Sequence, residues 1–312
     1  MSNESEHDSK QSGRCHWGEQ RRTRPSEQQI KATVVLVVLV MFGCLSLPSA
    51  ESAELKKETA TEFSRYISVS EDRIRSELRN GPFLFVDALP ETRRQEAYAQ
   101  LRKGQLLINQ VNTKEEGHPI EVHHGLIHDW VGVLFVPNVS LSQTLAVVQD
   151  YDNHANIYKP DVRRSKLLSR SDNDFKVFLQ FYKQSVVTVV INANFDVNYQ
   201  LLATDRAVSS SYSTRLAEVH NPGKAGEHEE TVDDGHGYLW RLYSYWRFEE
   251  KDGGVYVQLE SIGLSRGVPA IFAWLVNPLL RSIPRGTLSS LLGATRAALA
   301  NSRKTVEKTS SP

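Results

Sequence analysis

Tyr238–Phe248 reads YLWRLYSYWRF, Glu249–Gly254 reads EEKDGG, and Val255–Leu264 reads VYVQLESIGL. The outer two stretches are rich in β-branched and aromatic residues that fit a pleated surface. Asp252-Gly253 between them supplies the positive φ of a tight hairpin. Pairing about that turn puts Trp246 and Phe248 on one face with Val255, Val257 and Leu259. Arg241, Tyr243, Tyr245 and Arg247 share the other face with Tyr256, Gln258 and Glu260. After Pro284, Leu288, Leu291, Leu292, Thr295 and Leu299 recur at three and four, which predicts a helix over about Thr287–Ala300. Gly293 and Ala294 let a neighbour come close. A sheet plus an amphipathic helix gives a fold class but no reaction.

Working back from the hairpin, the period is that of strands from Ile120 onward. Val122–Val136 is the first, ended by Pro137-Asn138. Ser140 and Gln143 form a capping box, and Leu141, Leu145 and Val148 give a short helix its apolar stripe. Val162–Leu168, Phe175–Tyr182, Val186–Tyr199 and Ala207–Val219 then follow as strands, the last with Ser209, Ser211 and Ser213 on one face. Strands without intervening helices predict an antiparallel sheet, not βαβ units.

The first 52 residues read differently. A polar stretch ending in Arg21, Arg22, Arg24 and Lys31 precedes the apolar run Ala32–Leu47 and then Pro48-Ser49-Ala50. These are the ingredients of an export signal or membrane anchor, so residues 32–47 are the expected point of any membrane association. The expected location is exported, periplasmic or membrane-anchored. The two cysteines, Cys15 and Cys44, both lie in this leader, so the rest has no disulfide and no thiol nucleophile. Lys+Arg and Asp+Glu each number 37, and this balance gives no reason to expect a nucleic-acid partner. Residues 53–112 read as a helical lead-in or stalk, because Glu54–Tyr66 and Val69–Arg79 carry few apolar residues to bury. Residues 113–301 form the expected domain, and 302–312 a polar tail.

The order strand, short helices, antiparallel strands and one long helix is the helix-grip order. Val148-Gln149-Asp150-Tyr151-Asp152-Asn153-His154, continued by Tyr158-Lys159-Pro160-Asp161-Val162, resembles the segment after the first helix in the START-like superfamily. That group includes polyketide cyclases, coenzyme-Q-binding proteins and pollen-allergen-type proteins. Ser265-Arg266 to Pro269, with the helix after it, is similar to bacterial members with an export leader. The resemblance spans roughly Gly117–Ala300. It implies an α+β fold in which a curved antiparallel sheet wraps a long C-terminal helix and leaves a cavity. It also implies binding of a hydrophobic small molecule or lipid, with catalysis in only some members.

The residues expected to line that cavity are Trp240, Leu242, Trp246, Phe248, Val257, Leu259, Leu288 and Leu292. Arg241, Tyr245, Arg247 and Glu260 form the alternative, a polar face that either fixes a ligand head group or stays wet with Arg247 and Glu260 as a diagonal pair. His118, His123, His124, His128 and His154 lie near one another, with His124 and His128 on one strand face; they read as surface histidines, since zinc needs three or four convergent ligands. The acidic loop Glu227–Asp234 lacks the ladder of a calcium site. No catalytic residue, metal or cofactor is assigned. Three functions remain: a non-catalytic carrier or sensor of a hydrophobic ligand outside the cytosol; a cyclase, aromatase or hydratase in the same cavity; and an interaction domain with a filled core.

Overall fold

The computed structural model describes residues 53–184, 188–267 and 270–309, and only the backbone of 270–282 and 303–309. The expected leader, residues 1–52, and the far end of the polar tail lie outside the described residues. Helix α1 (Lys57–Asn80), a 3-10 turn at Phe85–Ala88 and α2 (Glu91–Arg102) come first. Short strands β1 (Leu107–Gln110), β2 (Lys114–Glu115) and β3 (His118–Pro119) lead to β4 (Gly125–Pro137). Next come α3 (Leu141–Val148), a 3-10 turn at Tyr151–Asn153 and α4 (His154–Ile157). Then follow β5 (Val162–Ser171), β6 (Asp174–Gln184), β7 (Thr188–Ala203), β8 (Arg206–His220), β9 (His228–Glu229), β10 (Arg241–Lys251), β11 (Gly254–Arg266) and α5 (Ala270–Thr309).

The main sheet runs β1-β4-β11-β10-β8-β7-β6-β5, with β9 added beside β8. All its neighbours are antiparallel. The first long strand, β4, therefore lies beside the last, β11, and α5 packs on both. That is the helix-grip arrangement. The β10–β11 hairpin has the register its sequence dictates, from Arg241↔Leu264 to Lys251↔Gly254, around a two-residue turn. Asp252 and Gly253 take φ of 56° and 75° there, the paired positive values whose twist matches the flanking strands. The expected capping box also forms: Gln143 N donates to Ser140 Oγ at 3.2 Å, and Ser140 N to Gln143 Oε1 at 2.9 Å.

Alternation gives the sheet two buried faces. The inner face carries Leu134, Phe195, Val197, Phe248, Val257 and Leu259, packed with Leu288, Leu292 and Leu299 of α5. The outer face carries Ile262, Leu264 and Tyr245 under Phe63, Tyr66, Ile67 and Ile74 of α1. Val133, Phe135 and Tyr256 lie under Tyr98 and Leu101 of α2. All these elements belong to one compact unit.

Three expectations change. The polar lead-in is no free stalk: α1 is one continuous helix that covers the outer face of the sheet. Its buried stripe is narrow and mixed, with Thr59 and Ser70 among Phe63, Tyr66, Ile67 and Ile74, so hydrophobic spacing alone understates it. The last helix begins at Ala270, and Pro284 falls inside it, not before it. Finally, β4 starts at Gly125, and His124 sits in a left-handed turn conformation with φ of 60°. His124 and His128 therefore do not share a strand.

Candidate functional site

Register decides which side chains meet on the inner face beneath α5. One row runs Tyr199, Ser209, Trp246, Leu259, Gly132 across β7, β8, β10, β11 and β4. The next runs Val197, Ser211, Ser244, Ser261, Trp130. A third carries Phe195, Ser213, Leu242, Gly263 and His128; Leu242 N donates to Ser213 Oγ at 3.0 Å. The central strands thus present small side chains, while Trp130, Leu242 and Trp246 beside them stay half-buried at the edge of the apolar cluster. Trp246 stacks on Phe248 with ring centroids 5.8 Å apart.

The expected lining residues divide accordingly. Leu242 and Trp246 lie on this floor and keep accessible surface. Phe248, Val257, Leu259, Leu288 and Leu292 are buried within the same cluster. Trp240 does not join them: it precedes β10 and packs into the outer cluster with Ala53, Leu55 and Phe63. Sequence reasoning placed Ser209, Ser211 and Ser213 on one face but gave them no role, and it did not single out Ser244, Ser261 or Trp130. The signal was present in the alternate serines of Ser209–Ser213 and their partners across the hairpin.

None of the three rows contains a charged side chain. Burial pushes the His128 imidazole down to about 4, and it pushes His154, behind the floor, down to about 4 against the raising effect of its bond to the Val148 carbonyl. The Tyr151 and Tyr199 hydroxyls meet at 2.8 Å, and burial raises both phenols above their ordinary range. Tyr158 OH and Thr295 Oγ1, 3.2 Å apart, tie the turn after α4 to α5. His128 Nε2 and Ser265 Oγ lie 2.9 Å apart on the same inner face, which brings a base and a hydroxyl together. Among the described residues no carboxylate orients the other nitrogen of that ring, as an activated nucleophile requires.

Of the alternative polar face, Tyr245, Arg247 and Glu260 are buried against α1, whereas Arg241 is half-buried beside the acidic loop. Arg247 donates from Nη2 to Glu77 Oε2 at 2.5 Å and from Nη1 to the Phe83 carbonyl at 2.8 Å. Glu260 pairs with Arg73. Arg247 and Glu260 therefore each bond to the helix and not to one another. Tyr245 and Tyr212 both donate to Glu71 Oε1, at 2.9 and 2.8 Å. Phe85 N donates to Gln258 Oε1 at 2.7 Å, and Tyr66 OH to Asp129 Oδ2 at 2.9 Å. Arg241 bonds to Asp233 of the acidic loop. A half-open cleft of about 150 Å³ remains where α1 overhangs β7 and β8, lined among others by Glu71, Arg75, Asn198 and Tyr212, and Tyr245 and Arg247 of this face border it.

The histidines scatter. His123 hydrogen-bonds Glu62 at 2.7 Å, and burial is slight there. Glu58, Glu62 and His123 place three potential ligand atoms within 4.8 Å of one another. This is where a cation finds donors among the described residues, but Glu62 is already engaged by the ring and backbone amide of His123. The acidic loop is held by Arg215–Glu229, His220–Glu230 and His236–Glu218 pairs. Among the described residues no helix is long and apolar enough to cross a membrane.

No protein family matches the chain, and no curated protein does. Several solved structures are similar to it in fold. A fragment of the STAR-related lipid transfer protein from Xanthomonas axonopodis is 17% identical, with a TM-score of 0.38 over 56% of this chain and 96% of that one. Human STARD10 is 9% identical, with a TM-score of 0.41 over 70% of this chain and 84% of that one. The Zhui aromatase/cyclase from a Streptomyces strain is 12% identical, with a TM-score of 0.35 over 57% of this chain and 94% of that one.

Proposed function

We propose that this chain binds a hydrophobic small molecule or lipid on the inner face of the sheet, under α5, as a non-catalytic carrier or sensor. The observation that carries this reading is the floor itself. Half-buried Trp130, Leu242 and Trp246 surround a patch of small side chains on β8, β10 and β11. Large apolar groups beside small ones leave surface for a guest to cover. Covering about 200 Å² of apolar surface contributes roughly 5 kcal/mol at about 25 cal/mol per Å². Native mass spectrometry of the purified chain tests it: an apolar molecule retained under native conditions and released on denaturation supports binding, and a chain that binds no added lipid rejects it.

A catalytic use of the same face would rest on His128 and Ser265. An imidazole held at about 4 is neutral at pH 7 but a weak base, below the range in which general bases work well. Binding alone is therefore the first reading.

The location is part of the proposal. The basic flank and apolar run of residues 32–47 support export or membrane anchoring. A reporter fused after Ala53 that is active only in the cytosol would reject it.

A further inference from the structure

We infer that the inner face selects an uncharged amphiphile, one whose polar part is a hydroxyl, ester or amide, through the hydroxyls of Ser209, Ser211, Ser244 and Ser261. The inference rests on the ligand-binding reading above and specifies its ligand class.

Ser211, Ser244 and Ser261 are direct register partners on three adjacent strands, so their hydroxyls form one line across the sheet. With strands about 4.8 Å apart, that line spans roughly 10 Å, the width of a glycerol-sized head group. All three side chains are half-buried, and none hydrogen-bonds to another described residue. Ser209, the next inward position on β8, adds an independent sign. It is 4% exposed, and its Oγ makes no well-formed hydrogen bond to a described residue, although it lies close enough to the Tyr199 phenol to hold that pKa down somewhat. The Tyr199 phenol in register beside it bonds to Tyr151 and to the Val148 carbonyl. A buried hydroxyl without a partner is unfavourable, and native structures avoid it unless something supplies the missing bond.

The surroundings set the charge of the guest. Val197, Trp130, Trp246 and Leu242 flank the serines, and no lysine or arginine stands in these rows. A carboxylate or phosphate seated there would lose water without gaining a counter-charge from these rows. Neutral oxygen and nitrogen groups suit a hydroxyl row, because serine both donates and accepts.

The test uses the full chain and two probes with the same tail-labelled fluorescent acyl group, one a free fatty acid and the other its glycerol monoester, titrated at mildly alkaline pH. The monoester should bind at least ~10-fold more tightly than the ionised acid. Ser211→Ala/Ser244→Ala/Ser261→Ala together should remove at least ~10-fold of monoester affinity and so close most of the gap between the two probes. Ser209→Ala should weaken the monoester several-fold with little change in melting temperature, since the Tyr199 phenol beside it keeps its bonds to Tyr151 and the Val148 carbonyl. Equal or tighter binding of the acid, or full monoester affinity in the triple variant, would overturn the inference while leaving the ligand-binding reading intact. An earlier melt for Ser209→Ala would assign that hydroxyl a structural bond and remove it from the site. Failure of both probes to bind the wild type would instead reject the ligand-binding reading itself.

Discussion

Gly132 on β4 and Leu292 on α5 leave no room for a side chain between them: a Cβ on Gly132 would lie 2.7 Å from Leu292 Cδ1 and 3.3 Å from Leu288 Cδ2. The helix is seated on the sheet at this point. Gly132→Ala should destabilise the fold by about 1–3 kcal/mol through overpacking. Leu292→Ala alone should cost about 2–5 kcal/mol. Because each change makes room for the other, the double variant should cost less than the sum. Urea titration of all three decides; strict additivity would mean that the two residues do not share the contact.

The outer cover makes a separate prediction. The Arg247 side chain is 3% exposed and held by Glu77 and the Phe83 carbonyl. Arg247→Met leaves the Phe83 carbonyl and Glu77 Oε2 without that donor, Arg73 still holding Glu77 Oε1, and should cost about 3 kcal/mol in urea titration. Arg65→Met, at a side chain 65% exposed and paired with Glu115, should leave stability unchanged. Similar losses from both would mean that α1 does not bury the pair.

These two contacts mark what was legible in the sequence. The hairpin turn, the faces of β10 and β11, the Ser140 cap and the leucine stripe of α5 all follow from local spacing, and the structure has them where the spacing put them. The outer cover did not follow, because α1 buries polar groups against a polar strand face. Tyr66, Ser70, Arg73 and Glu77 recur at three and four, the spacing of a packed stripe, but in residue types that hydrophobic periodicity does not count. Their partners Arg247 and Glu260 were visible as one hairpin face, and only tertiary packing joins that face, with Asp129 of β4, to the helix. The serine row was half legible: alternation placed Ser209 and Ser211, but the alignment of Ser211, Ser244 and Ser261 needs the pairing of β8 with β10.

Asp129 should give a measurable pH effect. Burial, and then repulsion by Glu260, raise its carboxyl to about 8, against the lowering effect of Tyr66, Arg73 and Thr113. An unfolded aspartate titrates near ~3.9. Between those values the folded chain holds more protons than the unfolded one, so this contribution to stability falls as pH rises from about 4 to about 8. His128 and His154 act in the opposite sense: their contribution is present above ~6.5 and is lost as pH falls toward about 4. Asp129→Asn removes only the first effect. The stability of the variant relative to wild type should therefore rise between about pH 5 and 8; a difference flat with pH would show that Asp129 is ionised throughout.

Phe248 and Trp246 stack, yet their burial differs. Phe248 is fully buried, and Phe248→Ala should cost about 3–5 kcal/mol. Trp246 is half-buried on the floor, so Trp246→Ala should cost less, about 1–2 kcal/mol. Tryptophan 246 would then be free to contact a ligand. Equal losses in denaturant titration would place both rings in a closed core.

The most direct measurement is probe binding by Ser244→Trp, with Ser244 at the centre of the row that runs from Val197 to Trp130. If the inner face holds a guest, the indole takes the guest's place. The variant should then melt close to the wild type and lose at least ~10-fold of affinity for a tail-labelled acyl monoester. In a solid core the same change would overpack by about 1–3 kcal/mol, and the wild type would bind no probe. A folded Ser244→Trp variant that binds the probe as tightly as the wild type would contradict the account, because the ligand would then sit elsewhere.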